Sequence, residues 1–232
     1  MNARLLEIKK RLREIGKEHI RIIAVSKTHP PSAISELLRE GQRDFGENRF
    51  NEARDKIPLV DISGLSETTC PIYHHIGPLQ SGNARQIPEI FDWIHGASSE
   101  KAINILADSC IKKMEQNNLR FPLHYLIQVN LTGEATKTGG IPYEKLILMN
   151  RFIENEALKF SGFMTMGPSS GDPVETREVF HRLREIRDEL LPGGELSMGM
   201  SGDWQIAAKE GATMVRLGSV LFGERKEKPW KP

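Results

Sequence analysis

The sequence predicts an α/β fold, a single (β/α)8 barrel of the TIM type with one helix before it. Eight short apolar runs alternate with helix-like segments, and this order favours parallel strands joined by right-handed crossovers. A closed barrel is the economical way to bury so many parallel strands, and 232 residues is a usual length for one. No repeat, low-complexity tract or linker divides the sequence, so we expect one domain over residues 1–232.

The individual elements follow from hydrophobic periodicity and from turn residues. The second and seventh predicted strands are the shortest. The predicted strands cover residues 22–25, 44–45, 72–76, 91–94, 125–129, 160–164, 196–198 and 214–217. Helices are predicted between them, among others at residues 31–40, 100–116, 143–154 and 174–190.

A separate amphipathic helix precedes the first strand. Its apolar residues recur at helical spacing, and Gly16 follows them as a stop signal. The apolar face consists of Leu5, Leu6, Ile8, Leu12 and Ile15. Too few residues follow the eighth strand for a full outer helix, so we expect the N-terminal helix to cover the barrel there.

Composition is typical of a soluble globular protein, with 38% hydrophobic and 27% charged residues. A formal net charge of +1 gives no reason to expect nucleic acid or an anionic membrane as a partner. Cys70 and Cys110 lack the spacing of a metal site or a disulfide framework, so we expect two reduced thiols and no metal. No signal peptide or membrane-spanning run is evident, and the expected location is the cytoplasm.

Lys27 follows the first apolar run directly. The carboxyl ends of barrel strands are where active sites are built, and alternation places Lys27 on the same side as Ile23 and Val25. Partial desolvation would lower the pKa of this amine and let it attack a carbonyl group. A surface lysine just past a strand is the alternative that the pattern leaves open.

The loops after the last two strands pair glycine with serine. Met200, Ser201 and Gly202 follow the seventh strand, and Gly218 with Ser219 follow the eighth. Glycine lets backbone amides approach a ligand closely, and serine adds a hydroxyl donor. Phosphate commonly binds at these two loops in such barrels, so the sequence predicts a phosphorylated ligand.

Other polar residues stand at strand ends or within apolar runs. Arg216 lies in the eighth run, which indicates either a structural ion pair or a use at the site, such as a hydrogen bond to a pyridine nitrogen. Asn48 can bind a ligand oxygen, whereas Glu47 fits an acid, a base or a helix N-terminal charge. Adjacent His74 and His75 point to opposite faces of a strand, so we expect lining and packing roles rather than a shared metal.

Motifs along nearly the whole chain resemble those of the pyridoxal phosphate homeostasis protein family, whose barrel is similar to the N-terminal domain of alanine racemase, the fold-type III barrel. The matching stretches are AVSKTHP (24–30), FGENR (45–49), HHIGPLQS (74–81), FDWIHG (91–96), LIQVNLTGEATKTG (126–139), GFMTM (162–166), LSMGMSGDW (196–204) and ATMVRLGSVLFGER (212–225).

The resemblance implies a role for each candidate residue. Lys27 would hold pyridoxal 5′-phosphate (PLP) covalently as a Schiff base, Arg216 would face the pyridine nitrogen, and Asn48 would lie near the cofactor. Ser201, Gly202, Gly218 and Ser219 would hold the phosphate, and Met200 between the same strands would be a further cofactor-binding residue. The resemblance implies a role in non-enzymatic PLP homeostasis, with PLP-dependent apo-enzymes as candidate recipients. We expect a monomer, because the second domain that makes the usual dimer contacts of racemases is missing.

Two enzymatic alternatives stay open at this point. A minimal PLP-dependent amino-acid racemase would use Lys27 as one base, and a Schiff-base lyase or aldolase would act on a phosphosugar. The racemase is less favoured because the second base of alanine racemase comes from a C-terminal domain for which this sequence leaves no room. None of Tyr73, Tyr125 and Tyr143 lies in such a domain.

Overall fold

The computed structural model of the protein describes residues 2–66, 69–116, 122–134, 140–147 and 152–223. Eight parallel strands close into a barrel in the order β4-β3-β2-β1-β9-β8-β7-β5, because β4 also pairs with β5. A ninth, two-residue strand, β6, pairs with β5 outside the barrel. The predicted (β/α)8 barrel is therefore confirmed.

The strands are β1 (Arg21–Val25), β2 (Asp44–Glu47), β3 (Ile72–Pro78), β4 (Trp93–Ala97), β5 (Leu123–Asn130), β6 (Ile141–Pro142), β7 (Leu158–Met164), β8 (Glu195–Ser197) and β9 (Met214–Leu217). The helices are α1 (Ala3–Glu14), α2 (Pro31–Arg39), α3 (Phe50–Lys56), α4 (Glu100–Glu115), α5 (Tyr143–Leu146), α6 (Pro173–Leu190), α7 (Trp204–Lys209) and α8 (Ser219–Phe222). Each of the eight predicted strands overlaps a barrel strand. No described helix is both long and apolar enough to cross a membrane.

The helix predicted at residues 143–154 is wrong in its last part. The helical segment α5 ends at Leu146, residues 148–151 lie outside the described part of the chain, and residues 152–154 are not helical. Phe152 stacks on Phe160 of β7 with ring centroids 4.0 Å apart. Its apolar character therefore reflects packing of a non-helical segment against the barrel wall rather than a helical face.

Helix α1 covers the barrel beside the short last helix, as predicted. The Asn2 side chain caps its first turn, and the Asn2 backbone N–H donates to Glu40 Oε2, just past α2, at 2.6 Å. On the other side α1 contacts α8. Its inward residues Leu5, Ile8 and Leu12 are buried, so α1 fills the space between α2 and α8.

The strands divide the core into an inner and an outer layer. Apolar side chains from alternate strand positions form the inner cluster, which includes Ile23, Trp93, Leu126, Met164 and Met214. Their neighbours in sequence pack outward against the helices in a much larger cluster. The candidate site lies next to this inner layer, at the carboxyl ends of the strands.

Candidate functional site

Lys27 lies at the carboxyl end of β1 and is half-buried. Ile23 of the same strand belongs to the inner cluster, whereas its neighbours Ile22 and Ala24 belong to the outer one, so these three residues of β1 alternate between the two layers. The β9 loop lies directly alongside, because a Cβ built on Gly218 would be 3.6 Å from Val25 Cβ. The loop after β9 therefore lies beside the end of β1, two residues before Lys27.

The two residues that flank Lys27 are held by charged side chains from β2 and α3. The Ser26 hydroxyl donates to Glu47 Oε1 at 2.7 Å, and Lys56 Nζ donates to the Ser26 carbonyl oxygen at 3.0 Å. The backbone N–H of Thr28 donates to Glu52 Oε1. Thr28 has a φ of 68°, a left-handed conformation that a β-branched residue rarely adopts unless its surroundings impose it.

These three charged residues form one buried ion cluster, which we call the Lys56 cluster (Glu47, Glu52 and Lys56). Lys56 Nζ lies 3.0 Å from Glu47 Oε1 and 2.7 Å from Glu52 Oε1. The side chains of Lys56 and Glu47 are fully buried. Burial raises the pKa of Glu47, although the charge of Lys56 opposes that shift. Glu47 thus helps to hold Ser26, the residue before Lys27, in place.

Arg216 points into the barrel from β9 and is only 5% exposed. Its Nη1 donates to the carbonyl oxygen and the hydroxyl of Ser197, at 2.8 and 2.6 Å, and its Nη2 donates to the Thr165 carbonyl oxygen at 2.9 Å. All three acceptors are neutral. Burial lowers the pKa of Arg216 to about 10, and the charge of Asp203 acts against that shift. The guanidinium therefore stays charged at neutral pH, and neutral groups hold it in place.

The loops after β8 and β9 are joined through Ser201. Its hydroxyl oxygen accepts from the backbone N–H groups of Gly218 and Val220, at 3.3 and 3.5 Å. Gly199 begins the first loop with a φ of 92°, and a Cβ there would lie 2.6 Å from Ala207 Cβ, so glycine is required. Met200, Gly202 and Ser219 are exposed. The predicted phosphate donors thus converge at one edge of the barrel.

Asn48 follows β2, the strand next to β1, and is half-buried. It lies against β3 so closely that a Cβ on Gly77 would be 2.3 Å from the Asn48 carbonyl oxygen. The loop carrying Asn48 and the loop carrying Lys27 therefore start from adjacent strands.

The two adjacent histidines of β3 face opposite sides, as predicted. His74 hydrogen-bonds within the barrel interior to Asp44 and His95. His75 packs outward, edge-on to Phe91, and burial lowers its pKa to about 4. Its Nδ1 has no hydrogen-bond partner among the described residues. Within that same part of the chain, no cluster of His, Cys, Asp or Glu side chains is suited to a metal.

All eight predicted site residues thus belong to β1, β2, β8 and β9 or to the loops that follow them. Reasoning from the sequence missed the residues that hold them: Glu52 and Lys56 behind Lys27, and Thr165 and Ser197 around Arg216. The spacing of Glu52 and Lys56, four apart on α3, was a signal for an ion pair. No local signal marked Thr165 or Ser197.

Comparison with known proteins agrees with this architecture. Residues 3–226 match the model of the alanine racemase N-terminal domain family. A Vibrio cholerae protein named pyridoxal phosphate homeostasis protein is 36% identical over 90% of this chain and 87% of its own length. A protein of the same name from Aquifex aeolicus is 36% identical over 91% of this chain and 90% of its own length.

Solved structures show the same relationship. PipY of Synechococcus elongatus PCC7942, solved with PLP bound, superimposes with a TM-score of 0.78 at 33% identity, over 95% of this chain and 98% of PipY. An alanine racemase of Clostridium difficile 630 shares the fold, with a TM-score of 0.67 at 15% identity over 98% of this chain and 58% of the racemase. The chain therefore belongs to the family of the pyridoxal phosphate homeostasis proteins, which share the barrel of the alanine racemase N-terminal domain.

Proposed function

We propose that this protein binds PLP covalently, as a Schiff base on Lys27, and serves intracellular PLP homeostasis as a carrier rather than as an enzyme. The observation that carries the proposal is that the end of β1, two residues before Lys27, lies beside Gly218, whose N–H donates to Ser201. PipY, at 33% identity over 95% of this chain, has been solved with PLP bound, which supports the same ligand here.

The residues present fit the three chemical parts of PLP. An aldehyde needs a primary amine, which Lys27 provides. A phosphate needs several N–H or O–H donors, and the contacts that Gly218 and Val220 make to Ser201 are long, at 3.3 and 3.5 Å. A phosphate oxygen would form shorter, charge-assisted hydrogen bonds with those groups. Ser219 and the backbone of Gly202 lie beside them and are exposed.

The pyridine nitrogen needs a partner, and Arg216 suits that role. Ser197 and Thr165 accept three hydrogen bonds from a guanidinium that has five N–H donors, so two donors are left for a ligand as far as the described residues go. PLP supplies an electron sink when its ring nitrogen is protonated. Arg216 donates hydrogen bonds and keeps its own proton at neutral pH, so it would leave that nitrogen unprotonated. This favours holding the cofactor over carbanion chemistry.

The burial of two of the three tyrosines, Tyr73 and Tyr125, also favours a carrier over a racemase. Racemisation needs a second base on the far face of the cofactor from Lys27. Tyr73 and Tyr125 are buried in the outer layer of the core, and the Tyr125 hydroxyl donates to the Ile153 carbonyl oxygen. Burial raises the pKa of both hydroxyls, so both keep their proton at neutral pH and neither can take a proton from a substrate. PLP-dependent apo-enzymes are the proposed recipients of the cofactor.

Titration of the purified protein with PLP tests the binding proposal. We expect a visible absorption band that stays with the protein on gel filtration. Lys27→Ala should abolish the band, whereas Lys10→Ala, a change at an exposed lysine of α1, should not affect it. Ser201→Ala with Ser219→Ala should keep the band but weaken PLP retention, at about 1.5–3 kcal/mol for each charge-assisted hydrogen bond lost. A band that survives Lys27→Ala would refute the assignment.

Solvent deuterium exchange separates the carrier from the racemase. The PLP-loaded protein is incubated with L-alanine in D2O, and deuterium at Cα is followed by NMR, with PLP alone as the control. We expect no exchange beyond that of PLP alone. Exchange that is rapid and lost in Lys27→Ala would make the protein an enzyme.

A further inference from the structure

A continuous chain of buried side chains crosses the barrel interior from Arg216 to the opposite mouth. Ser197 Oγ lies 2.6 Å from Arg216 Nη1 and 2.7 Å from His95 Nδ1. His95 Nε2 lies 2.9 Å from His74 Nδ1, and His74 Nε2 lies 3.0 Å from Asp44 Oδ1. These residues come from five different strands or their ends, and none belongs to the Lys56 cluster.

We propose that Ser197, His95 and His74 are positioning residues, which orient Arg216 through hydrogen bonds that all point the same way, towards Asp44. This inference rests on the proposed function in one respect, that Arg216 meets the ring of PLP. We name these four residues, Ser197, His95, His74 and Asp44, the interior chain.

The direction of the interior chain follows from its two ends. A guanidinium has only N–H donors, so Ser197 Oγ accepts from Arg216. A carboxylate has only acceptors, so His74 must donate to Asp44 from Nε2. With one proton on each ring, His74 Nδ1 accepts from His95 Nε2, and His95 Nδ1 accepts the Ser197 hydroxyl proton. Both rings are then neutral and carry their proton on Nε2.

The opposite direction would need a second proton on His74. His95 would then donate from Nδ1 to Ser197 and accept from His74, which would have to donate at both nitrogens at once. Both rings are fully buried, and burial lowers the pKa of His74 and, by more, that of His95. The charge of Arg216 further lowers the pKa of His95. The one-way arrangement is therefore the stable one.

Asp44 stays ionised at the far end and anchors the chain there. Burial would raise the pKa of Asp44, but the hydrogen bond from His74 and the charge of Arg21 outweigh it, and the net shift is downward. Arg21 itself is held over the Trp93 ring, with 4.8 Å between its guanidinium carbon and the ring centroid. The orientation of Arg216 thus depends on residues across the whole barrel.

Nitrogen NMR of the protein without PLP tests the direction of the hydrogen bonds in the interior chain. With 15N-labelled histidine, we expect His74 and His95 at neutral pH to be uncharged, with the proton on Nε2 in both rings. An Nδ1–H form or a charged ring at either position would overturn the proposal. This measurement needs no variant and no bound PLP, so it remains decisive even if the proposed function fails.

Variants of Ser197 test whether the interior chain positions Arg216 for the ligand. Ser197→Ala should weaken PLP binding by about tenfold, the effect of one hydrogen bond to a charged group, and should shift the visible band. Ser197→Thr keeps the hydroxyl and should restore both. The matched control is Ser161→Ala, which removes a partly buried hydrogen bond between a serine and a histidine, from Ser161 to His124 at 2.8 Å, that is not part of the interior chain.

The outcomes distinguish the two proposals. If the wild-type protein fails to bind PLP, the proposed function is wrong, whatever the histidine spectra show. If Ser197→Ala binds PLP with the wild-type affinity and spectrum, or if Ser161→Ala has an equal effect, the positioning role is wrong and PLP binding stands. A Ser197→Ala effect that Ser197→Thr does not reverse would also overturn it.

Discussion

Replacing Lys56 with methionine should destabilise the protein by about 3–5 kcal/mol at neutral pH, the cost of leaving a buried charge without its partner. The side chains of Lys56 and Glu47 are fully buried, so water cannot solvate the remaining carboxylate. Glu47 Oε1 would keep only the Ser26 hydroxyl, and Glu47 Oε2 already has no partner among the described residues. Methionine has a similar length, so little of the loss should come from a cavity.

The loss of unfolding free energy in Lys56→Met should depend on pH, and the ionisation of Glu47 determines whether it grows or shrinks as pH rises. Burial already raises its pKa, and loss of the Lys56 charge would raise it further. A carboxyl group whose folded-state pKa is raised contributes its full stability below its unfolded pKa of about 4.3 and loses it as pH rises through the folded pKa. The Lys56→Met deficit should therefore be largest at neutral pH and shrink towards pH values of about 5.

Urea unfolding across this pH range measures the effect. Lys10→Met, at a lysine that is 67% exposed, is the matched control and should change the free energy of unfolding by less than about 1 kcal/mol. Adding Glu47→Gln to Lys56→Met should recover part of the loss, because the fully buried residue 47 then carries no charge. A deficit that does not vary with pH, or a double variant no more stable than Lys56→Met, would refute the reasoning.

Three further predictions concern stability. The first is His75→Phe. The pKa of His75 is about 4 in the folded state and about 6.5 in the unfolded state, so the wild-type protein loses stability as pH falls between those values. In urea titrations the variant should therefore gain about 3 kcal/mol relative to wild type by pH 4, and a difference that does not change with pH would contradict this. Leu12→Ala should cost about 2–5 kcal/mol, because Leu12 of α1 is buried in the core. Leu6→Ala, at a residue of the same helix that is 47% exposed, should cost far less, and equal losses in thermal melts would contradict this. Gly199→Ala should lower both the melting temperature and PLP retention, since its φ of 92° and its contact with the next helix exclude a side chain; wild-type retention would contradict this.

The barrel could be predicted from the sequence because its strands are buried on both faces. Such strands appear as short apolar runs, and even the brief β2 and β8 were marked by them. The prediction of a helix at residues 143–154 failed in its last part because Phe152 packs on β7 from a segment that is not helical. An apolar residue signals burial, but a short stretch does not reveal which backbone conformation delivers it.

Part of the candidate site could likewise be predicted from the sequence, and part could not. Lys27 and the glycine-serine loops could be predicted because strand ends and loop chemistry are local features of the sequence. The supports could not, because they join distant residues: His95 and Ser197 are 102 positions apart, and Lys56 lies 30 positions from the Ser26 carbonyl oxygen that it contacts. A buried lysine and a surface lysine look alike in a sequence, and only the fold distinguishes them.

Covalent capture of PLP by Lys27 is the central claim, and trapping it chemically is the most direct test. The protein is incubated with PLP, reduced with borohydride, digested with trypsin and sequenced by mass spectrometry, with Lys27→Ala treated in parallel. We expect the reduced pyridoxyl phosphate adduct on Lys27 at a stoichiometry near one per chain, and none of comparable amount in the variant. An adduct spread over surface lysines, or one as abundant in Lys27→Ala as in the wild type, would contradict the account.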